Sequence, residues 1–499
     1  MTVKSGRIGV IDIGSNSIRL VVYESPSRPL VPIFNEKVMC ALGRGLGETG
    51  ALRPEGVTLA LDNLTRFAAV TAAMGVKTLE VIATAAVRDA EDGAAFVAAA
   101  SKRCGFSIRV LSGVEEARLS AQGVLSDIPE ADGLMGDLGG GSLELVTLER
   151  GKVGPQSTLP LGPLRLLDSS GGELKKAMAQ IDAALDLLPW LANAKGKRFY
   201  AVGGSWRALA RIHMAQVDYP LRVIHRYEVK RAKMENVVEL VSKMSRRSLE
   251  RLSGLPRRRL DTLPLAALLL ERILRRVAPK RVVFSANGLR EGVVYDRLPA
   301  ETKRLDPLLS ACTVLAAQHS RFPQAGESLA RWTAPLFSDE SVEHARRRHA
   351  ACLLSDIAAT DHPDYRAEQA LLRVIRSLVL PSDHPGRAFL ALAVFARYGG
   401  DVRSGATELV RSLLDDEDVV RARRLGVALR LGYTLSGGSP EILDDVSLVL
   451  DRDRVSLDVA AHRAALIGED VTKRLNQLAD ALDRKPSVLV AGMRRGAAV

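Results

Sequence analysis

The sequence predicts an α/β protein made of two similar half-domains that face each other across a cleft, followed by a separate all-α domain. One glycine-rich pattern occurs twice, as IDIGSNSIRLV at residues 11–21 and as GDLGGGSLELV at residues 136–146. Strand and helix patterns alternate up to about residue 300, as expected for an α/β region. After Asp306-Pro307 glycine becomes rare, strand patterns disappear and Leu/Ala/Arg-rich helical periodicity continues almost to the end. These observations predict domains at residues 1–125, 126–305 and 306–499.

The composition is that of a globular protein with an excess of basic residues. A chain of 499 residues is too long for one core, and 47% hydrophobic with 26% charged residues is ordinary for a soluble protein. The net charge of +12 predicts an anionic partner if the basic residues cluster. Arginine runs at Pro256–Arg259, Arg275-Arg276 and Arg346–Arg348 favour clustering, although solvated helix faces would give the same runs. Only 4% of residues are aromatic, which argues against a stacking platform for nucleic acid.

Cysteine usage and the N-terminus predict a cytoplasmic protein. Cys40, Cys104, Cys312 and Cys352 are far apart and form no CxxC pair, as expected for free thiols in a reducing compartment without structural zinc. The N-terminus runs directly into the first predicted strand, which leaves no room for a signal peptide. No apolar run approaches the roughly 20 residues needed to cross a bilayer, so we expect no membrane partner.

The first glycine turn joins two predicted strands, Ile8–Ile13 and Ile18–Tyr23. In P-loop and dinucleotide-binding units the glycine turn opens a helix instead, with glycines or lysine at fixed spacings. Neither spacing is present here. The turn therefore predicts neither of those nucleotide sites.

A polar cluster follows the predicted strand Thr78–Ala83, in the segment TAAVRD. Open α/β sheets place ligands at the carboxyl ends of their strands. Arg88 in this segment can bind a phosphate through two hydrogen bonds, and it can equally pair with Asp89 at the start of a helix. Its position favours the phosphate.

A second acidic segment opens a predicted helix after the strand Ser107–Leu111. Ser112 and Glu115 have the spacing of a capping box, which needs no further function. Helical geometry separates Glu115 and Glu116 by about 100° of rotation. Only one of these glutamates can therefore face a cleft.

The second glycine turn has an acidic character that the first lacks. A gapless alignment pairs Asp12 with Asp137 and Ser17 with Ser142, and it places Arg19 opposite Glu144. Consecutive glycines let a backbone approach a ligand closely and present N–H groups to an anion. Carboxylates are the ligands that Mg²⁺ prefers. One turn is therefore predicted to offer positive charge to a phosphate and the other negative charge to a metal.

The rest of the α/β region contains a third glycine turn and a last strand. The further predicted elements are strands Leu134–Leu138, Leu143–Leu148, Arg198–Val202 and Arg281–Ser285, helices at Pro54–Met74, Glu173–Ala192 and Trp206–Met214, and helices from Tyr227 to Val277. Gly203-Gly204-Ser205 follows one of these strands, and Asn287–Gly292 follows the last.

Taken together, six segments resemble the exopolyphosphatase / guanosine pentaphosphate phosphohydrolase family of the actin-like ATPase superfold. They occur in the family's order and cover roughly the first 300 residues. They are DIGSNS at 12–17, ATAAVRDA at 83–90, LSGVEEAR at 111–118, GDLGGGSLEL at 136–145, Gly203-Gly204, and GLREG at 288–292. The resemblance implies two actin-like (ribonuclease H-like) half-domains and cleavage of a phosphoanhydride bond by water.

The resemblance also implies roles for individual residues. Glu115 would be the catalytic glutamate that deprotonates the attacking water. Asp137 and Glu144 would hold Mg²⁺, and Asp12 would support the metal or the first turn. The implied phosphate-binding residues are Gly14, Ser15, Asn16, Ser17, Arg19, Arg88, Gly140, Gly141 and Ser142.

The C-terminal region departs from the longer family members, whose all-α domain resembles the HD fold. The metal-dependent form of that fold needs an adjacent His-Asp pair, whereas this sequence has Ser355-Asp356. His344, His349, His362 and His384 do not have the spacing of metal ligands. We therefore expect a degenerate HD fold that serves dimerisation or polyanion binding.

The leading hypothesis is a Mg²⁺-dependent exopolyphosphatase that acts as a homodimer on inorganic polyphosphate. A guanosine pentaphosphate phosphohydrolase that releases the tetraphosphate would use the same residues. A regulator that senses polyphosphate or an alarmone without turnover is the alternative outside the enzyme class. A sugar or acetate kinase of the same superfold is disfavoured, because no adenosine-pocket signature follows Gly204.

Overall fold

A computed structural model describes residues 6–251 and 260–491 of the chain. It divides into two compact units, Met1–Arg304 and Leu305–Val499. The basic run Pro256–Arg259 lies outside the described residues. The predicted boundary between the half-domains, at residues 125 and 126, falls inside one continuous helix, Gly113–Asp127.

The first unit alternates strands and helices as the sequence predicts. Its strands are β1 (Ile8–Ile13), β2 (Ile18–Tyr23), β3 (Pro32–Val38), β4 (Thr78–Ala83), β5 (Arg109–Val110), β6 (Gly133–Leu138), β7 (Leu143–Glu149), β8 (Lys152–Leu159), β9 (Arg198–Val202), β10 (Tyr227–Lys230) and β11 (Arg281–Phe284). Its helices are α1 (Leu46–Thr49), α2 (Pro54–Ala73), α3 (Ala85–Asp89), α4 (Gly93–Cys104), α5 (Gly113–Asp127), α6 (Pro163–Ser170), α7 (Leu174–Asp186), α8 (Gly204–Gln216), α9 (Arg231–Ser242), α10 (Arg246–Glu250), α11 (Leu263–Val277), α12 (Leu289–Asp296) and α13 (Ala300–Arg304).

The repeated sequence pattern corresponds to a repeated sheet topology. The first sheet has the order β3-β2-β1-β4-β5, and the second contains the equivalent order β8-β7-β6-β9-β11, extended by β10. In both sheets the first strand pairs antiparallel with the second and parallel with the fourth. The prediction of two similar half-domains is confirmed.

Two helices each pack on the sheet of the other half-domain. Helix α5 follows the first sheet but packs its alanine and valine face on the second, whereas α12 follows the second sheet and packs on the first. The two helices cross so closely that a β-carbon on Gly123 would overlap the Gly288 carbonyl, and one on Gly292 would overlap the Leu119 carbonyl. The half-domains are therefore joined by a close contact of two helices at glycines, and larger residues at these positions would push the helices apart.

The second unit is mainly helical but ends in a small sheet. Its helices are α14 (Pro307–His319), α15 (Ala325–Thr333), α16 (Val342–Leu353), α17 (Arg366–Ile375), α18 (His384–Arg397), α19 (Glu408–Arg411), α20 (Asp416–Ser436), α21 (Pro440–Asp444) and α22 (Glu469–Leu482). Its strands are β12 (Val446–Leu450), β13 (Arg454–Val459) and β14 (Lys485–Val490), in the order β12-β13-β14.

Two expectations about secondary structure were wrong. The sequence interpretation found no strands after residue 307, yet the second unit ends in three strands, β12 to β14, of which only β12 alternates regularly between buried and exposed residues. Tyr227–Lys230 was assigned to a helix but forms an edge strand antiparallel to β11. Four residues are too few for periodicity to distinguish the two.

The basic runs that lie in the described residues are neutralised locally. Arg275 and Arg276 pair with Glu271 and Asp186. Arg346, Arg347 and Arg348 each have a carboxylate within 4 Å inside the second unit. The arginines of these two runs therefore form ion pairs on helix faces and do not make a cationic surface.

The cysteines are free thiols, and the helices were compared with the length of a membrane span. The four cysteines form no disulfide, and three of them, Cys40, Cys312 and Cys352, are buried. In the part of the chain that the structure describes, none of the helices combines the length and apolarity needed to cross a bilayer.

Candidate functional site

The two glycine turns have the same backbone geometry. The Gly14 amide donates to the Ser17 carbonyl and the Gly139 amide donates to the Ser142 carbonyl, both at 3.0 Å. Asp12 lies opposite Arg19 across the first hairpin, as Asp137 lies opposite Glu144 across the second. The gapless alignment of the sequence repeat is therefore reproduced in three dimensions.

The turns pack against each other, which explains the glycines of the second turn. A β-carbon on Gly141 would lie 2.7 Å from Ser15 Oγ, and one on Gly140 would lie 3.3 Å from the β-carbons of Ser15 and Asn16. Neither glycine has a positive φ. These glycines are required for close approach rather than for a left-handed backbone.

A cavity of about 170 Å³ lies at the carboxyl ends of the central strands of both sheets. Most of the predicted site residues line it, namely Asp12, Gly14, Ser15, Asn16, Ser17, Arg19, Asp137, Gly140, Ser142 and Glu144. Glu115, Arg88 and Gly141 do not line it. Cationic side chains that the sequence interpretation did not assign, Lys37, Arg207 and Arg290, do.

The glutamate that faces the cavity is Glu116, not Glu115. Ser112 caps α5 by accepting from the Glu115 amide, and the Glu115 carboxylate binds Arg109 at 2.7 Å outside the cavity. One residue further along the helix, the Glu116 side chain is only 9% exposed and accepts from Arg88 at 2.9 Å. The geometry therefore does not support the expected role of Glu115, and helix rotation gives the position to its neighbour.

Arg88 lies behind Glu116 rather than in the cavity itself. Its guanidinium binds the Glu116 carboxylate, the Leu111 carbonyl and Asp89. Of the two alternatives that the sequence left open, the ion pair with Asp89 is present, and phosphate binding by Arg88 stays a prediction. Arg88 holds Glu116 in place from the first half-domain.

Glu116 has the protonation behaviour of a proton acceptor that works near neutral pH. Burial raises the pKa of Glu116 to about 7, although the Arg88 guanidinium favours the ionised form. Burial, together with the charges of Glu116 and Asp137, also raises the pKa of Glu144. Buried carboxylates that face one another resist simultaneous ionisation unless a cation joins them.

Asp137 and Glu144 have the chemistry of a Mg²⁺ site. Glu144 is 1% exposed, and its Oε1 atom has no hydrogen-bond partner among the described residues. Asp137 accepts a hydrogen bond from the neutral Ser120 hydroxyl at 2.7 Å. Within residues 6–251 and 260–491 there is no group of three or more His, Cys, Asp or Glu side chains that could hold an ion alone. Two carboxylates fit a magnesium ion that takes its remaining ligands from water and substrate phosphates.

Asp12 has a different partner from its counterpart Asp137. Its Oδ2 atom accepts from Arg290 Nη1 at 2.9 Å. Burial alone would lower the pKa of Arg290, but the charges of Glu291 and Asp12 raise it. Asp12 therefore supports a cation at the cavity, and its charge is already compensated.

Glu291 connects α12 to the first sheet. Its two carboxylate oxygens accept from the Gly288 amide at 3.0 Å and from the Tyr23 hydroxyl at 2.7 Å. Arg290 is thereby held between the two half-domains. The segment GLREG carried the family resemblance, and the position of Arg290 after the last parallel strand is the signal that could have assigned it.

The comparisons with known proteins agree with this architecture. The Ppx/GppA phosphatase family matches residues 6–301, and the family described as exopolyphosphatase, C-terminal, matches residues 308–489. Exopolyphosphatase 1 of Mycobacterium tuberculosis is 27% identical over 308 residues, which cover 59% of this chain and 89% of that protein. Retrograde regulation protein 2 of Saccharomyces cerevisiae is 26% identical over 466 residues, which cover 84% of this chain and 77% of that protein.

Solved structures show the same fold for the first unit. The exopolyphosphatase from Cytophaga hutchinsonii has a TM-score of 0.54 at 23% identity and covers 58% of this chain and 96% of that one. The Ppx/GppA family member from Aquifex aeolicus has a TM-score of 0.50 at 22% identity and covers 58% of this chain and 97% of that one.

Proposed function

Because this chain belongs to the Ppx/GppA phosphatase family, we propose that it hydrolyses the terminal phosphoanhydride bond of inorganic polyphosphate, with Glu116 as the general base. The observation that carries the proposal is the buried Glu116, which has a pKa of about 7 and borders a cavity lined by cations and glycine turns. Phosphoryl transfer needs positioning and charge neutralisation more than covalent chemistry, and these residues can supply both.

In the proposed reaction the two turns and the cationic side chains orient the phosphate chain. Glu116 accepts a proton from a water molecule, whose oxygen forms a bond to the terminal phosphorus. The bridging P–O bond on the opposite side of that phosphorus breaks, and its electron pair stays on the shortened chain. The products are orthophosphate and polyphosphate that is one unit shorter.

The second half-domain would supply the metal ligands. Asp137 and Glu144 would hold Mg²⁺, which when bound neutralises negative charge on the phosphates. In the proposed site Asp12 positions Arg290 and does not bind the metal. Arg88 holds the Glu116 carboxylate.

Adjacent glutamates provide a matched test of the base. We expect Glu116→Gln to lower the rate of phosphate release from long-chain polyphosphate by about 10²–10⁴-fold, the usual contribution of a general base. Glu115→Gln, one residue away on the same helix, should stay within about twofold of the wild type. A large loss in Glu115→Gln together with an active Glu116→Gln would refute the assignment.

Retrograde regulation protein 2 supports a second candidate, since it aligns with 84% of this chain and its name describes regulation. In that case the site would bind polyphosphate or an alarmone without turnover. A time course of phosphate release distinguishes the two, with guanosine pentaphosphate as a parallel substrate. Saturable binding without release from either substrate would favour the regulator, and faster release from the nucleotide would favour the pentaphosphate phosphohydrolase.

A further inference from the structure

The second unit contains a cavity of about 310 Å³ whose lining carries several arginines and no carboxylate. We call it the arginine pocket. Its lining residues from α17, α18 and α20 include Arg366, Arg397, Arg430 and Tyr433, and Arg321 adds a further guanidinium from the segment before α15. None of these residues belongs to the cavity of the first unit.

One buried carboxylate lies behind this lining. Asp356 is 1% exposed and accepts hydrogen bonds from Arg321 at 2.9 and 3.1 Å and from Arg397 at 3.3 Å. Asp356 follows Ser355 at the position where a metal-dependent HD fold would have its His-Asp pair. Two guanidinium groups therefore share one carboxylate here, which leaves the pocket with excess positive charge.

Arg397 is held in a fixed orientation. Its guanidinium carbon lies 4.2 Å from the ring centre of Tyr398 and 4.0 Å from that of Tyr433. Cation–π contacts of this kind fix an arginine without neutralising it. Its Nε atom is buried and has no hydrogen-bond partner among the described residues.

Arg366 and Arg430 add positive charge that is not paired with a carboxylate among the described residues. Arg366 donates from Nε to the Asp361 carbonyl at 2.8 Å, and within the described ranges it forms no ion pair. The Arg430 side chain forms neither a hydrogen bond nor an ion pair in the same part of the chain, and it packs on the backbone of Gly399, where a β-carbon would overlap Nη1. Burial and the charges of Arg474 and Arg397 lower the pKa of Arg430. Binding of an anion in such a pocket is favourable, because it lowers the repulsion between the arginines.

We propose that the arginine pocket binds the diphosphate group of a small polyanion, at a site separate from the hydrolytic cavity. Guanidinium groups bind phosphate oxygens through paired hydrogen bonds, and several of them suit an anion with more than one phosphate. Tyr398 and Tyr433 each contact the Arg397 guanidinium, so both rings serve to position a phosphate-binding arginine. Short polyphosphate and a nucleoside diphosphate share the required group.

The test uses the full chain with a chelator present and inorganic pyrophosphate as the probe. We expect pyrophosphate to protect residues 397–400 and 430–437 from hydrogen exchange. The double variant Arg366→Gln/Arg430→Gln should weaken binding at this site about 100-fold, because two charge-assisted contacts are removed. Protection around residues 136–146, which would report the other cavity, should persist in the double variant.

Controls separate this result from misfolding and from general ionic effects. Arg452→Gln removes an exposed arginine between β12 and β13 and should leave the protection unchanged. Arg366→Gln alone replaces a guanidinium that makes one hydrogen bond, to the Asp361 carbonyl, among the described residues. This single variant should remain folded and weaken binding about 10-fold. Absence of protection in the wild type, equal protection in the double variant, or equal protection by sulfate at the same ionic strength would each overturn the proposal.

Two further probes identify the source of the diphosphate group. Tripolyphosphate that binds at least 10-fold more tightly than guanosine diphosphate would assign the pocket to inorganic chains, and the reverse order would assign it to nucleotides. Equal affinities would assign recognition to the diphosphate group alone. The result is independent of catalysis in the first unit, because exchange protection needs no turnover.

Discussion

In the first half-domain the acid that precedes the glycine turn forms an ion pair with an arginine, whereas in the second half-domain neither acid of the hairpin forms one with the residues that the structure describes. Asp12 accepts from Arg290, and Arg19, across the hairpin, donates to Asn35. Asp137 accepts from Ser120, and in the part of the chain that the structure describes the buried Oε1 atom of Glu144 has no hydrogen-bond partner. The same backbone therefore carries a cation-rich turn whose acid forms an ion pair in the first half-domain, and an acidic turn whose two acids form no ion pair with the described residues in the second.

This difference shows how a duplicated hairpin can divide the work of phosphate chemistry. A phosphate chain needs cations that are already fixed in place, and a metal ion needs carboxylates whose charge is not yet neutralised. Each requirement is met in one half-domain. The contact between the two turns brings both to the same cavity.

The largest expected effect tests the acidic turn. We expect Asp137→Asn and Glu144→Gln to raise the Mg²⁺ concentration needed for half-maximal phosphate release by about 100-fold, since each variant removes one of two charged ligands. Magnesium titration calorimetry without substrate should show the same loss. Both variants should also stabilise the metal-free protein, because burial disfavours the charged forms that they replace.

The matched variant in the first half-domain is Asp12→Asn. Since Asp12 is paired with Arg290, its replacement should change the magnesium requirement by less than about threefold. A magnesium requirement that increases equally in Asp12→Asn and Asp137→Asn would remove the proposed division between the turns.

The cationic side gives the second prediction. We expect Arg290→Gln to raise KM for polyphosphate by about 30-fold with an unchanged magnesium requirement, because a buried arginine at a phosphate site contributes charge-assisted hydrogen bonds. Arg297→Gln, which removes a half-exposed arginine paired with Glu80 just after the same helix, is the control and should leave KM unchanged. An unchanged KM in Arg290→Gln would show that Arg290 serves the half-domain contact alone.

The sequence predicted the features of this site that depend on periodicity and repetition. Both hairpins, their turns and the positions of Asp12, Asp137, Arg19 and Glu144 follow from short, mostly apolar segments on either side of glycine-rich turns and from the repeat. Which of Glu115 and Glu116 faces the cavity did not follow from the sequence. It depends on the rotation of α5 against the second sheet, which is set by contacts distant in sequence.

Two further contacts could not be predicted from the sequence for the same reason. Arg88 was expected to touch the terminal phosphate, but its guanidinium is engaged by Glu116, and no local pattern reveals that pairing. Arg290 is 278 residues away from its partner Asp12. Long-range ion pairs between half-domains lie beyond what the spacing of residues can indicate.

The third prediction concerns pH and metal-free stability. The pKa of Glu116 is about 7 in the folded protein and near 4.5 when the side chain is exposed. Protonation of Glu116 therefore contributes to the free energy of unfolding. This contribution is fully present below pH 4.5 and is lost as the pH rises through 7. In chelator, the free energy of unfolding should fall between pH 5 and pH 8 by on the order of 1–2 kcal/mol more in the wild type than in Glu116→Gln.

Urea unfolding at the two pH values measures this difference, and Glu115→Gln should follow the wild type. A pH dependence that is the same in Glu116→Gln and in the wild type would show that Glu116 does not carry the buried proton.

The smallest expected effect tests the contact between the turns. A β-carbon on Gly141 would meet Ser15 Oγ at 2.7 Å, whereas one on Gly14, in the matching hairpin, would meet nothing closer than the Ser17 carbonyl at 3.4 Å. We therefore expect Gly141→Ala to destabilise the protein by about 1 kcal/mol and Gly14→Ala to stay within about 0.5 kcal/mol of the wild type. If Ser15 adapts by rotating its hydroxyl, Ser15→Ala should remove the penalty in a double-mutant cycle. Equal penalties in both glycine variants would instead mean that the two turns depend on glycine for the same reason, and the asymmetry between them would be confined to their charges.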